Sequence, residues 1–154
     1  MTPFQRFFDE QREPVFRFLV ASVGRDAADD CFQETFLAAM KAYPRLRAGS
    51  NQRAWVMTIA HRKALDHHRA RARRAIPVEA VPEVASYDAP PRDEDTWARV
   101  HGLPPKQRAA VLLRYAGDLT HAEVAGALGC SEEAARRSAH EGLKKLRNEM
   151  SPTP

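Results

Sequence analysis

The stretch LPPKQRAAVLLRYAGDLTHAEVAGALGCSEEAARRSAHEGLKKLR, residues 103–147, decides the fold. Pro104 and Pro105 suit a helix entry, where a backbone N–H would go unpaired in any case. Ala109, Ala110, Val111, Leu112 and Leu113 then make an apolar first helix that Gly117 ends. Thr120-His-Ala-Glu123 has the Ser/Thr-x-x-Glu form of a capping box, which satisfies two orphan N–H groups at the head of a second helix, Ala122 to Leu128. Gly129 and Cys130 break that helix, and Ser131 can cap a third, from Glu132 to about Met150. Two helices joined by a glycine-containing turn of about three residues have the helix-turn-helix arrangement, in which the third helix would enter a major groove.

Arg136 and Arg137 lie in the half of that helix from which side chains reach base edges, with His140 a turn on. Lys144, Lys145 and Arg147 follow where phosphates would lie. A basic amphipathic helix taken alone is as well explained by a solvated face. The capping box, the turn and the apolar register Val124, Leu128, Leu143, Leu146 favour the DNA-reading interpretation.

The 154 residues suffice for one domain or two small ones. The net charge of +4 is unevenly spread: residues 1–75 carry +6, residues 76–95 carry −5 and residues 96–154 carry +3. Two basic blocks flank an acidic spacer, a pattern that favours a polyanion such as nucleic acid. Cys31 and Cys130 lack the paired spacing of zinc or disulfide frameworks and are expected to be small buried apolar residues. The N-terminus does not have the form of a signal peptide, and no apolar run approaches the ~18 residues of a membrane span, so a cytoplasmic protein is expected.

Along the chain, Phe4, Phe7, Phe8, Val15, Phe16, Leu19 and Val20 recur at helical steps, with Pro14 either ending one helix or opening the next. A helix from Asp26 or Asp29 to about Tyr43 sets Cys31, Phe32, Thr35, Phe36, Ala39 and Met40 against Asp29, Asp30, Gln33, Glu34 and Lys41. By pattern alone, its acidic side is solvated surface. After a loop over residues 45–51, a long helix begins at Asn51 or Gln52, with Trp55, Val56, Ile59, Ala60 and Leu65 apolar and Trp55 expected in the core. Its far end is basic, with Arg62, Lys63, Arg69, Arg71, Arg73 and Arg74 placed to track phosphates. Asp66-His67-His68 does not make a metal site, because adjacent helical side chains point about 100° apart. Residues 76–95, with Pro77, Pro82, Pro90 and Pro91, read as a flexible acidic, Pro-rich linker. The fold class is therefore all-α, two small helical domains at residues 1–75 and 96–150.

The chain resembles a bacterial RNA polymerase sigma factor of the extracytoplasmic-function (ECF) type. Residues 26–43, DAADDCFQETFLAAMKAY, are similar to the family's region 2.1–2.2. Residues 53–69, RAWVMTIAHRKALDHHR, are similar to region 2.3–2.4, and the stretch quoted first is similar to region 4. The resemblance implies a region 2 bundle of three to four helices and a region 4 helix-turn-helix. It implies that Asp30, Gln33, Glu34 and Phe36 dock on core polymerase. It further implies that Asn51, Arg53, His61, Arg62 and Arg69 recognise and open the minus-ten element, where a flipped base needs hydrogen-bond donors and the exposed strand needs cations. Ser131, Arg136, Arg137, His140 and Lys144 would then read the minus-thirty-five element. The implied partners are core RNA polymerase, promoter DNA and an anti-sigma factor, without membrane insertion, cofactor or metal.

The third helix departs from the family pattern. Ala134 and Ala135 replace Thr and Val, Ala139 replaces Leu, Glu141 replaces a cation, and Gly142 sits mid-helix at a cost of about 1 kcal/mol. These changes predict a weakly stable or weakly binding second domain. The alternative is a stand-alone helix-turn-helix regulator that does not join polymerase. An enzyme is not expected: no nucleophile triad, phosphate-cradling loop or paired carboxylates stand at a plausible site.

Overall fold

The structure, a computed structural model, describes residues 1–74 and 98–150; the linker expected at residues 76–95 lies outside them. Six helices are named here: α1 (Pro3–Val23), α2 (Arg25–Ala42), α3 (Gln52–Arg74), α4 (Pro105–Val111), α5 (His121–Leu128) and α6 (Glu132–Met150). No strand occurs among the described residues.

Helix α1 starts with a capping box: the Gln5 N–H donates to the Thr2 hydroxyl at 3.1 Å and the Thr2 N–H to Gln5 Oε1 at 2.8 Å. Pro14 neither ends nor starts a helix but lies inside α1. It removes one N–H, a cost offset by the packing of the flanking turns, where Phe7, Val15, Phe18 and Leu19 are almost wholly buried. They meet Ala28, Cys31, Thr35, Phe36 and Ala39 of α2 and Val56, Met57, Ala60 and Ala64 of α3. Rings dominate this three-helix unit. Phe7 lies 6.0 Å from Phe36, 5.3 Å from Tyr43 and 5.6 Å from Trp55, centroid to centroid, within the range in which tilted aromatic pairs attract. Trp55 is thus a supporting wall of the core, as its register predicts. The Thr35 hydroxyl donates back to the Cys31 carbonyl at 2.7 Å, so its burial leaves no orphan.

The second unit is built on small residues. Helix α4 runs into a π turn, Leu112–Ala116, closed by the Gly117 N–H on the Leu112 carbonyl at 2.9 Å. A Cβ at Gly117 would lie 2.8 Å from the Leu113 carbonyl oxygen, so only glycine closes this turn without a shift. Helix α6 buries Ala135, Ala139 and Leu146, at the i, i+4, i+11 positions of one face. At Gly142 a Cβ would stand 2.8 Å from Val111 Cγ2 and 3.3 Å from the Gln107 carbonyl. The mid-helix glycine and the alanines that replace larger residues are therefore what let α6 lie close on α4. The propensity penalty at Gly142 is offset by that approach, which removes the physical ground for expecting a loose domain.

Cys31 is buried, as expected; burial first, then Glu34 and Asp30, push its thiol pKa up, which keeps it protonated and unreactive. Cys130 is exposed, contrary to expectation. It occupies the turn after α5, where its N–H donates to the Ala125 carbonyl at 3.1 Å.

Candidate nucleic-acid interface

Ser131 caps α6, accepting the Ala134 N–H at 3.0 Å. On the helix that follows, Arg136, Arg137, His140 and Lys144 are all exposed, opposite the buried Ala135, Ala139 and Leu146. Arg136 donates to Glu132 one turn earlier at 2.9 Å. That pair holds the guanidinium along the helix, and a single rotamer change would free it for a base edge. The capping box at Thr120 forms as its sequence predicts: the Glu123 N–H donates to the Thr120 hydroxyl at 3.1 Å, and the Thr120 N–H to Glu123 Oε1 at 2.9 Å.

In the first unit the expected strand-opening residues divide. Asn51 caps α3 by accepting the Ala54 N–H at 3.0 Å, and its Nδ2 donates to Glu123 of α5. Arg53 Nε donates to Gln11 Oε1 at 2.7 Å, which satisfies the amide of a buried glutamine. Arg62 and Arg69 are exposed, Arg69 lying 3.9 Å from Asp66. His61 is different: it is 8% exposed, and burial first, then Arg62 and His68, push its pKa down to about 4. It is a neutral core residue at neutral pH and offers no edge to DNA. Residues 71–74 continue the helix, all exposed, and carry three more arginines.

Asp30, Gln33 and Glu34 form an exposed face of α2. Phe36, expected with them, is 7% exposed and packs edge-on against Phe8 at 4.9 Å and tilted on Phe32 at 4.9 Å. Its ring supports that face from beneath instead of presenting itself to a partner. Leu37 and Met40, which the sequence left unremarked or assigned to the core, are the exposed apolar side chains of the same helix, at 53% and 49%. Periodicity could have found them, since 33, 37 and 40 lie on one stripe.

Two histidines, His68, read from the sequence only as no metal ligand, and His101, not singled out, finish the C-terminus of α1. His68 Nε2 lies 2.9 Å from the Ser22 carbonyl, and His101 Nε2, from the helical turn at 98–101, lies 3.0 Å from the Ala21 carbonyl. A carbonyl only accepts, so each Nε2 must carry the proton. No sequence signal marks either partner, because backbone carbonyls at a helix end have no side-chain signature. Among the described residues no cluster of His, Cys, Asp and Glu could hold a metal ion, and no helix is long and apolar enough to cross a membrane.

A helical bundle with a basic long helix, followed by a helix-turn-helix with a cationic outer face, defines a two-part DNA-binding protein. The chain matches the model of Sigma-70 region 2 over residues 7–74 and that of Sigma-70, region 4 over residues 94–146. It is 37% identical to the ECF RNA polymerase sigma factor SigD of Mycobacterium tuberculosis, over 90% of this chain and 73% of that protein. It is 30% identical to the RNA polymerase sigma factor CarQ of Myxococcus xanthus, covering 94% and 87% of the two chains. Its fold is similar to that of the sigma factor RpoE of Bartonella quintana, solved in complex with the anti-sigma factor NepR, with a TM-score of 0.82, 20% identity and full coverage of both chains. The chain belongs to the sigma-70 family, among the ECF RNA polymerase sigma factors. A free-standing regulator built on the C-terminal helices alone does not account for the match across the N-terminal unit.

Proposed function

We propose that the chain divides its work as follows. Residues 1–75 act as sigma region 2, docking on core polymerase through Asp30, Gln33 and Glu34 with Phe36 bracing them from below. The same unit opens the minus-ten element with Asn51, Arg53, Arg62 and Arg69. Residues 96–150 act as region 4, reading the minus-thirty-five element with Arg136, Arg137, His140 and Lys144 from a helix that Ser131 caps, and residues 76–95 tether the two. His61 keeps the α3 core in register and does not touch DNA. The chain is a binding subunit that does no bond chemistry of its own, works in the cytoplasm, and is open to control by an anti-sigma protein of the kind seen with RpoE.

The observation that carries this reading is the pairing, on one bundle, of an uncovered acidic face on α2 with an exposed run of arginines at the end of α3. A free DNA-binding regulator has no use for the first. The test is pull-down with core polymerase and with DNA. The double substitution Asp30→Lys/Glu34→Lys should abolish capture by core polymerase and leave the far-UV helical signal intact, because both side chains are exposed. Full retention of capture would refute the assignment of that face.

A further inference from the structure

A cleft of about 340 Å³ opens where the second half of α1, the start of α3 and the segment following α4 meet. That volume lies at the lower end of the range of small-molecule sites, and the small side chains of Ala21 and Ala116 leave the room for it. Two guanidinium groups line it. Arg17 of α1 is exposed and makes no hydrogen bond or ion pair with any described residue. Arg53 of α3 donates from Nε to Gln11 at 2.7 Å, which fixes the plane of its fork and leaves the terminal nitrogens available. Its Nη1 stands 3.9 Å from the Asp118 carboxylate, too far for a hydrogen bond, so both groups keep free capacity.

The opposite wall comes from one irregular segment. Tyr115 belongs to the π turn and is 52% exposed, the one large apolar side chain left open among the described residues of the second unit. Arg114, tied to the Leu119 carbonyl at 3.2 Å, lies over the tyrosine ring at 5.3 Å and holds it in place. Asp118 has φ 60°, the one non-glycine residue in the left-handed region among those described. π turns and left-handed aspartates cost stability and recur where a ligand is held. Here the two stand three residues apart, and both side chains line the same cleft.

We propose that this cleft binds a free nucleoside diphosphate, with the base stacked on Tyr115, the phosphates on Arg17 and Arg53, and the ribose hydroxyls donating to Asp118. Guanidinium forks match phosphate oxygens in pairs, an open ring accepts any base by stacking, and a carboxylate with a spare oxygen accepts from hydroxyls. The cations outnumber the one carboxylate, which selects an anion over an uncharged nucleoside. The site stands apart from the faces assigned to polymerase and promoter, sharing only Arg53 with them.

The test is calorimetric titration of the full chain with ADP and GDP, and with adenosine and inorganic pyrophosphate as the two halves of the ligand. Each diphosphate should bind saturably, one per chain, with either half at least about tenfold weaker. Tyr115→Ala should weaken ADP about tenfold and leave pyrophosphate unchanged, and Tyr115→Phe should retain full affinity, because stacking needs only the ring. Arg17→Gln should weaken ADP and pyrophosphate about tenfold and leave adenosine unchanged. Arg12→Gln, on the same helix but seated over Phe8 outside the cleft, should change nothing. Arg12 and Arg17 are both exposed, so neither substitution disturbs the core. An oligothymidylate of about twelve residues, long enough for a single-strand groove, should be insensitive to Tyr115→Ala. No saturable binding, pyrophosphate binding as tightly as ADP, or equal losses with Arg12→Gln and Arg17→Gln would each overturn the site. Loss of oligothymidylate affinity in Tyr115→Ala to match the loss of ADP would overturn it too, by giving the cleft to a strand.

Discussion

The two helical units solve the same packing problem in opposite ways. The first fills its centre with Phe7, Phe18, Phe36 and the flanking Tyr43 and Trp55, so its stability depends on large rings being present. The second brings α6 down on α4 through Ala135, Ala139 and Gly142, so its stability depends on large groups being absent. Departures from a family pattern that remove volume are therefore not a measure of weakness. They mark a closer approach of two helices.

Substitutions of opposite sign should separate the units. Phe7→Ala should have the largest effect, destabilising the first unit by about 3–5 kcal/mol, the usual cost of emptying a buried ring site, read as a fall in the urea midpoint. Gly142→Leu should cost the second unit on the order of 3 kcal/mol, because Val111 is itself buried and stiff and cannot yield. The same substitution would be mild if α6 stood farther from α4, so a small effect would contradict the close approach.

Acid should act first on the α1–α3 unit and on the contact of His101 with the end of α1. His61 falls to about 4, and His68 and His101 are also lowered, all by burial first; Arg62 and His68 act on His61, and His101, Arg108 and His67 on His68. Backbone hydrogen bonds at Ser22 and Ala21 oppose the shift on the latter two. The unfolded chain binds protons near the ordinary 6.5 and the folded chain binds them only lower. The stabilising contribution is therefore whole above that value and lost as pH falls towards 4. Melting at about pH 5 rather than about pH 7.5 should show His61 alone costing on the order of 2 kcal/mol, and His61→Phe should flatten that dependence. The smallest effect belongs to the caps: Asn51→Ala and Ser131→Ala should each cost about 1 kcal/mol, one in each unit, with the Asn51 substitution also removing its hydrogen bond to Glu123.

Much of this was legible in the residues. The Thr120 capping box, Ser131 as a cap, the start of α3 and the cationic face of α6 follow from local chemistry, and local chemistry is what a sequence displays directly. Pro14 misled because three-helix packing outweighs a missing hydrogen bond. Phe36 and His61 were assigned by resemblance to surfaces that they support from inside, since a motif gives proximity to a function and not the direction of a side chain. The contact between Asn51 and Glu123 left no local mark at all, because Glu123 already had a reason to be present in its own cap and Asn51 in another.

The central claim is that this chain confers promoter specificity on a polymerase that lacks it. Run-off transcription from fragments of its own genome, with core polymerase and with or without the purified chain, tests this most directly. The account predicts discrete transcripts only when both are present, and their loss with Asp30→Lys/Glu34→Lys. A transcript pattern identical with and without the chain, at saturating protein, would contradict it.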